Sequence, residues 1–236
     1  MAMDFHNPDK LEDTVAESAN MDAVEKARLE GELAEMEARL PSVTDAGERA
    51  RLQLDMGRIL ADLKRGDQAW SLCREAFDHF LTREDWEAAA DCCNIMYLSD
   101  QPGALSALGQ GVWLGVTYPI DPEISVELLH HIIDDTPDDS DGAAVAAATA
   151  AFIVDMRMKD DPRREDMQFF TQQMLGKVAN RHSGVSDQAQ FNYWIEKLEL
   201  DQPDKFLVRL RNIVDVLVQD DWWFDRDELR ARIPED

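Results

Sequence analysis

The chain has 236 residues, and its 49 acidic against 24 basic side chains give a formal charge of −25. That excess argues against direct binding to nucleic-acid phosphates or anionic lipid surfaces. Hydrophobic residues make up 44%, with eleven Gly and nine Pro. This excludes a largely disordered chain and favours helices over sheets, in one large domain or two small ones.

The acidity has two functional readings: a surface for a basic partner protein, or a nucleic-acid mimic that blocks a DNA-binding protein. The plainer alternative is solubility, or adaptation to a salty cytoplasm. Cys73, Cys92 and Cys93 form no CxxC, leave one thiol unpaired under any disulfide scheme, and lie among Ala, Leu and Ile. They read as small hydrophobes in a reducing compartment, so a cytoplasmic location is expected. The N-terminal stretch has neither the basic nor the apolar region of a secretion signal.

In chain order, residues 1–20 are polar and aperiodic and are expected to be flexible. From Met21 to Pro41 a charged helix carries Leu29, Leu33, Met36 and Leu40 at spacings of four, three and four. This narrow apolar seam packs either on the protein's own body or against a second copy as a homodimer. Pro41 ends the helix, and Ser42 or Thr44 is expected to cap the next.

Residues 42–118 read as helical hairpins. Leu52, Met56, Ile59, Leu60 and Leu63 recur at helical spacing up to the turn Lys64-Arg65-Gly66-Asp67, where Gly66 is expected to supply left-handed geometry. A second helix follows with Ala69, Leu72, Cys73, Ala76, Phe77 and Phe80 on one face. The next pair covers about 84–98 and 103–116, separated by Ser99-Asp100-Gln101-Pro102.

Residues 119–236 continue as helices. Asp121 and Pro122 open the first, and an acidic loop from Asp134 to Asp141 leads to an Ala-rich helix. Its apolar run, Ala143 to Val154, is too short to span a bilayer and is expected to be buried. Further helices are expected from Asp161-Pro162, after Ser186 as cap, and from Gln202-Pro203. The aromatic tail holds Trp222, Trp223 and Phe224 before a short helix beginning at Asp225. No strand-like alternation persists, so the fold class is all-α: stacked antiparallel helical hairpins, with a C-terminal bundle as one arrangement of the second half.

Gly57, Ala69 and Ala76 fall where the backbones of a helical hairpin approach closely, and Cys92, Ala104 and Gly111 follow 35 residues later in each case. With Leu60 and the turn at Gly66-Asp67, this pattern resembles the tetratricopeptide repeat, whose helix pairs recur about every 34 residues. The resemblance covers about residues 44–117. It departs from the family at Gln53, where a tryptophan is usual, and lacks the first unit's terminal proline. It implies a superhelix with a peptide-binding groove, and names no ligand.

Candidate chemistry is sparse. Glu127 and His130 form one Glu-x-x-His unit, half of a di-iron bundle motif, and no second unit exists in the chain. Glu127, His130 and His131 therefore carry only an alternative reading as an enzyme, metal or cofactor site. The loop before Gly142 fails the calcium template at Pro137 and Ala148. The cysteines match no zinc spacing, and no phosphate-cradling loop or nucleophile motif is present. The sequence thus points to a non-enzymatic scaffold, adaptor or assembly chaperone that needs no metal or cofactor and binds a basic segment of another protein. Candidate partner-binding residues are Asn94, Tyr97, Trp113 and Tyr118, which interrupt apolar faces, and Trp222 and Trp223. One of this last pair is expected to dock the tail on the last hairpin, the other to serve as an exposed anchor.

Overall fold

A computed structural model describes the backbone of residues 8–233 and the side chains of residues 23–233. The chain is all-α: no strand occurs among the described residues. The helices are α1 (Pro8–Arg39), α2 (Ala46–Asp62), α3 (Gly66–Thr82), α4 (Trp86–Leu98), α5 (Ala104–Thr117), α6 (Pro122–Asp135), α7 (Asp141–Arg157), α8 (Arg164–Ser183), α9 (Gln188–Lys197), α10 (Pro203–Val218) and α11 (Arg226–Arg230), with a 3-10 turn at Leu40–Ser42.

Helix α1 begins at Pro8 rather than Met21. Residues 8–20, expected to be flexible, contain the Lys, Leu, Glu and Ala that favour helix without forming an apolar stripe; residues 1–7 lie outside the described part. Leu33 is buried, and Leu29, Met36 and Leu40 pack half-buried on the same core. The seam thus lies on the protein's own body.

The pairs α2–α3, α4–α5 and α6–α7 pack across short turns, and each pair packs on the next through α3–α4, α5–α6 and α7–α8. The first helices of successive pairs also touch, α2 on α4, α4 on α6 and α6 on α8, forming one row. On the other row, α10 turns back to lie on α5 and α7. Helix α7 sits between these layers, and its alanines from Ala143 to Ala150 are buried; small side chains allow neighbours on several sides.

Small residues do seal the stack. A Cβ on Gly57 would lie 2.3 Å from the Cys73 sulfur, and one on Gly111 2.8 Å from the Cys93 Cβ. Ala69, Ala76 and Cys92 have no exposed surface, while Ala104 is half-buried.

Two local expectations are corrected. The left-handed residue of the α2–α3 turn is Lys64 (φ 60°), and Glu84, Asp100 and Glu199 play the same part elsewhere. Gly66 is needed for a different reason: its Cβ would fall 2.0 Å from the Ser99 carbonyl oxygen, where the first hairpin turn meets the second. The caps also shift by a residue or more. Asp45 accepts the Glu48 amide at 2.8 Å while Ser42 donates back to Arg39, and Asp187 accepts the Gln190 amide at 2.9 Å while Ser186 engages the Gln190 side chain. Asp85, Asp121 and Asp225 cap helices in the same way, so part of the chain's acidity is spent on free helical N–H groups.

Candidate functional site

The row α2–α4–α6 carries a ladder of polar contacts between equivalent turns of successive pairs. Arg51 pairs with Asp85, and Arg58 with both Asp55 and Asp91. Further along, His131 Nε2 lies 2.8 Å from the Asn94 oxygen, and the Tyr97 hydroxyl donates to Asp135 at 2.8 Å. Tyr97 also packs on the His131 ring with centroids 4.5 Å apart. Burial and the Asp135 carboxylate push the Tyr97 phenol well above its ordinary range. Burial holds His131 below the usual imidazole value, opposed by Glu127, Asp134 and Asp135. This imidazole is therefore neutral at pH 7 and acts as a hydrogen-bonding strut.

Across the same row run Asp55, Asp91 and Glu127, separated by equal intervals of 36 residues. Burial raises the Asp91 carboxyl above its ordinary value; Arg58 opposes this, while Glu127 and Asp55 add like-charge repulsion. One carboxylate on each of three helices thus shares a single electrostatic environment. Asp55 and Glu127, at the two ends, are exposed. The row ends at a cleft of about 350 Å³ between α6 and α8, where His130, Ile133, Phe170 and Met174 form the wall and Lys177 the rim. Phe170 is half-exposed there, and Phe169 beside it is largely exposed.

Asn94 and Tyr97 therefore belong to this row. Trp113, Tyr118, Trp222 and Trp223 lie elsewhere, brought together on the opposite row by the C-terminal tail. Trp223 packs edge-on against Trp70 (6.1 Å) and Phe77 (5.3 Å), with Arg74 4.5 Å above its ring. Trp222 packs against Trp113 at 6.3 Å and lies under Arg226 at 4.0 Å. Both are half-buried, and the tail docks on the first two hairpins rather than the last. Tyr118 stacks on Trp86 at 4.1 Å and donates its hydroxyl to the Leu229 carbonyl at 3.0 Å. Adjacent tryptophans are both accommodated because one faces α3 and the other α5.

The alternative centre at Glu127, His130 and His131 does not converge. His131 faces Asn94, whereas His130 faces Asp134 at 3.8 Å and the Phe170 ring at 6.1 Å. Among the described residues no group of three or more His, Cys, Asp or Glu side chains is placed to hold a metal ion. The three cysteines are buried as free thiols, and burial drives Cys92 and Cys93 far from thiolate formation. His182 Nδ1 lies 2.7 Å from the Ser183 hydroxyl and its Nε2 3.1 Å from Asp141, a serine-base-acid sequence on paper. The Trp194 indole N–H donates to the same Nδ1 at 3.2 Å, occupying the lone pair a base would need. These groups tie α7, α8 and α9 together.

Sequence reasoning missed three arginines that satisfy helix ends across the fold. Arg157 donates to the Gly115 and Val116 carbonyls at 2.8 and 2.9 Å, and burial lowers its pKa. Arg181 reaches Ile133 and Thr136, and Arg209 reaches Leu198. Only the basic character of these positions was visible in the sequence.

The fold defines an all-helical stack of packed pairs, and no helix among the described residues is long and apolar enough to cross a membrane. No protein-family model, curated protein or solved structure matches the chain.

Proposed function

We propose that the chain is a non-enzymatic scaffold or adaptor of tetratricopeptide-like construction, acting as an assembly chaperone or docking module for another protein. It binds a basic segment laid across α2, α4 and α6. The observation that carries this reading is the row Asp55, Asp91 and Glu127, one carboxylate per hairpin on touching helices. An extended cationic segment lowers the mutual repulsion of these three groups, and its capture weakens with salt. Beside Glu127, a shallow depression walled by Val126, Met167 and Phe170 suits an aliphatic or aromatic anchor in that segment. Three buried free thiols suit a reducing, cytoplasmic compartment.

The test is fluorescence anisotropy with a labelled Lys/Arg-rich decapeptide carrying one leucine, at 50 and 500 mM KCl. Asp55→Asn with Glu127→Gln, which leaves the Arg58–Asp91 pair intact, is expected to weaken binding about tenfold or more at low salt. The control Asp201→Asn with Asp204→Asn removes the same charge from exposed positions at the start of α10, which packs on α5 and α7 rather than on the row. Equal losses in the two double variants would mean that bulk charge alone attracts the peptide and would end this reading.

A further inference from the structure

The tail and α10 enclose a second feature, on the side of the molecule away from the acidic row. Between α5, α10 and α11 lies a cleft of about 200 Å³ with Val112, Trp113, Val116, Leu210 and Val214 among its walls. Val112, Trp113, Leu210 and Val214 are each at least 95% buried, so the walls are held by the core rather than by mobile surface side chains. The charged side chains that line it are Arg211 and Arg230, both cationic, in a chain whose formal charge is −25. Arg230 also lies over the Trp113 ring, 5.6 Å from its centroid. Trp113 itself is 4% exposed, and its indole N–H is buried without an acceptor.

An orphaned indole donor in an apolar wall is destabilising unless something accepts from it. Two guanidiniums at an apolar cleft favour an anion with a planar head, since their donors form a fork that matches a carboxylate. Size narrows the body of the molecule. An apolar protein cavity of roughly 150 Å³ accepts benzene, so this cleft has room for a ring, or a branched chain of similar bulk, with a short tail.

We propose that the cleft is a binding site for a small carboxylic acid with an aromatic or branched apolar body, its carboxylate held by Arg211 and Arg230. The site is built where the folded-back tail meets the hairpin stack: Trp113 comes from α5, Arg211 from α10 and Arg230 from α11. Occupancy therefore also stabilises docking of the tail.

The test uses the full chain, ¹⁵N-labelled, titrated at pH 7 with 3-phenylpropionate and, separately, with the uncharged 3-phenylpropan-1-ol. The acid is expected to shift the Trp113 indole N–H resonance and to bind about tenfold or more tightly than the alcohol. Arg211→Gln, on an exposed side chain, is expected to weaken acid binding severalfold while leaving alcohol binding and the melting temperature of the free protein unchanged. Equal affinities for acid and alcohol, an unmoved Trp113 resonance, or undiminished acid binding by Arg211→Gln would each overturn the assignment.

Discussion

The main-chain amide of Trp223 donates to the side-chain oxygen of Gln110, 2.9 Å away in space and 113 residues away in sequence. Gln110 is fully buried, and its amide nitrogen donates to the Asp221 carbonyl and approaches the Ser106 hydroxyl, each at 3.3 Å. Ser106 in turn donates to the Asp221 carboxylate at 2.9 Å. One side chain thus satisfies the backbone of the tail at the point where it crosses α5. Gln110→Leu fills the same space, leaves the Trp223 amide unpaired and leaves the Asp221 carbonyl only the Ser106 hydroxyl at 3.4 Å. We expect a loss of about 1–3 kcal/mol, read as about 2–4 °C of melting temperature per kcal/mol. Amide exchange should speed up selectively at residues 219–233. Uniform acceleration throughout the chain would show that the tail is not a separately releasable element.

Glycine substitutions should divide by sign. A Cβ at Gly66 meets the Ser99 carbonyl oxygen at 2.0 Å, a backbone atom that cannot step aside without moving the second hairpin turn. Gly66→Ala is expected to cost about 1–3 kcal/mol. Gly31 and Gly176 lie within α1 and α8 and have nothing within 4 Å of the added methyl. Alanine there should stabilise by about 0.5–1 kcal/mol through helix propensity. Urea denaturation of the three variants checks both signs, and destabilisation by Gly176→Ala would contradict the open surroundings of that helix face.

These glycines mark how far sequence reasoning reached. The helix-forming positions of α2 to α7 were legible because Leu52, Met56, Ile59 and their counterparts repeat at the period of one buried face. The 35-residue echo, from Gly57 to Cys92 and from Ala76 to Gly111, was legible because Gly57 and Gly111 are crowded by a neighbouring helix. Gly66 was assigned the wrong reason: its constraint comes from Ser99, on a different hairpin, and no local pattern encodes that meeting. The tail was harder still. Trp222 and Trp223 read as one docking residue and one exposed anchor, yet both are half-buried, because Trp70, Phe77 and Gln110, which receive them, are selected by the return of α10 across α5. The acidic row did leave a trace. The interval from Asp55 to Asp91 to Glu127 nearly equals the repeat period, so the sequence carries the echo in carboxylates as well as in small residues.

Stability should fall below pH 6.5 through His131. Its half-buried ring packs against Asn94 and Tyr97, with Glu127, His130, Asp134 and Asp135 as the charged or titratable groups acting on it. Burial lowers its folded-state pKa, and the carboxylates only partly offset this. The unfolded chain, at the ordinary value of about 6.5, therefore binds the proton first as pH falls. The contribution of the neutral ring is complete above that value. It declines by up to about 1.4 kcal/mol per pH unit on descending from 6.5 to the folded-state pKa, and is constant below it. Urea denaturation at intervals from pH 7.5 to 5.0 should show this slope in the native chain and its loss in His131→Gln. A slope that persists in the variant would assign it to another group.

Salt offers the last discrimination, because attraction and repulsion respond to it with opposite sign. The ion pairs on the described surface are mostly exposed, as at Arg28–Glu25 and Arg39–Glu48, and such pairs contribute about 0–1 kcal/mol each. Screening them costs little. Against this stands the self-repulsion of a net charge of −25, to which Asp55 and Glu127 acting on Asp91 contribute. Raising KCl from 0.05 to 0.5 M shortens the screening length from more than 10 Å to a few Å. The melting temperature of the free protein is therefore expected to rise, on the order of 1 kcal/mol or about 2–4 °C. Asp55→Asn with Glu127→Gln should take up part of that gain already at low salt, so its rise with KCl should be smaller. A fall in the native melting temperature with KCl would mean that the ladder Arg51–Asp85 and Arg58–Asp91 outweighs the repulsion. The row would then be a structural clasp with no excess charge to offer a cationic segment.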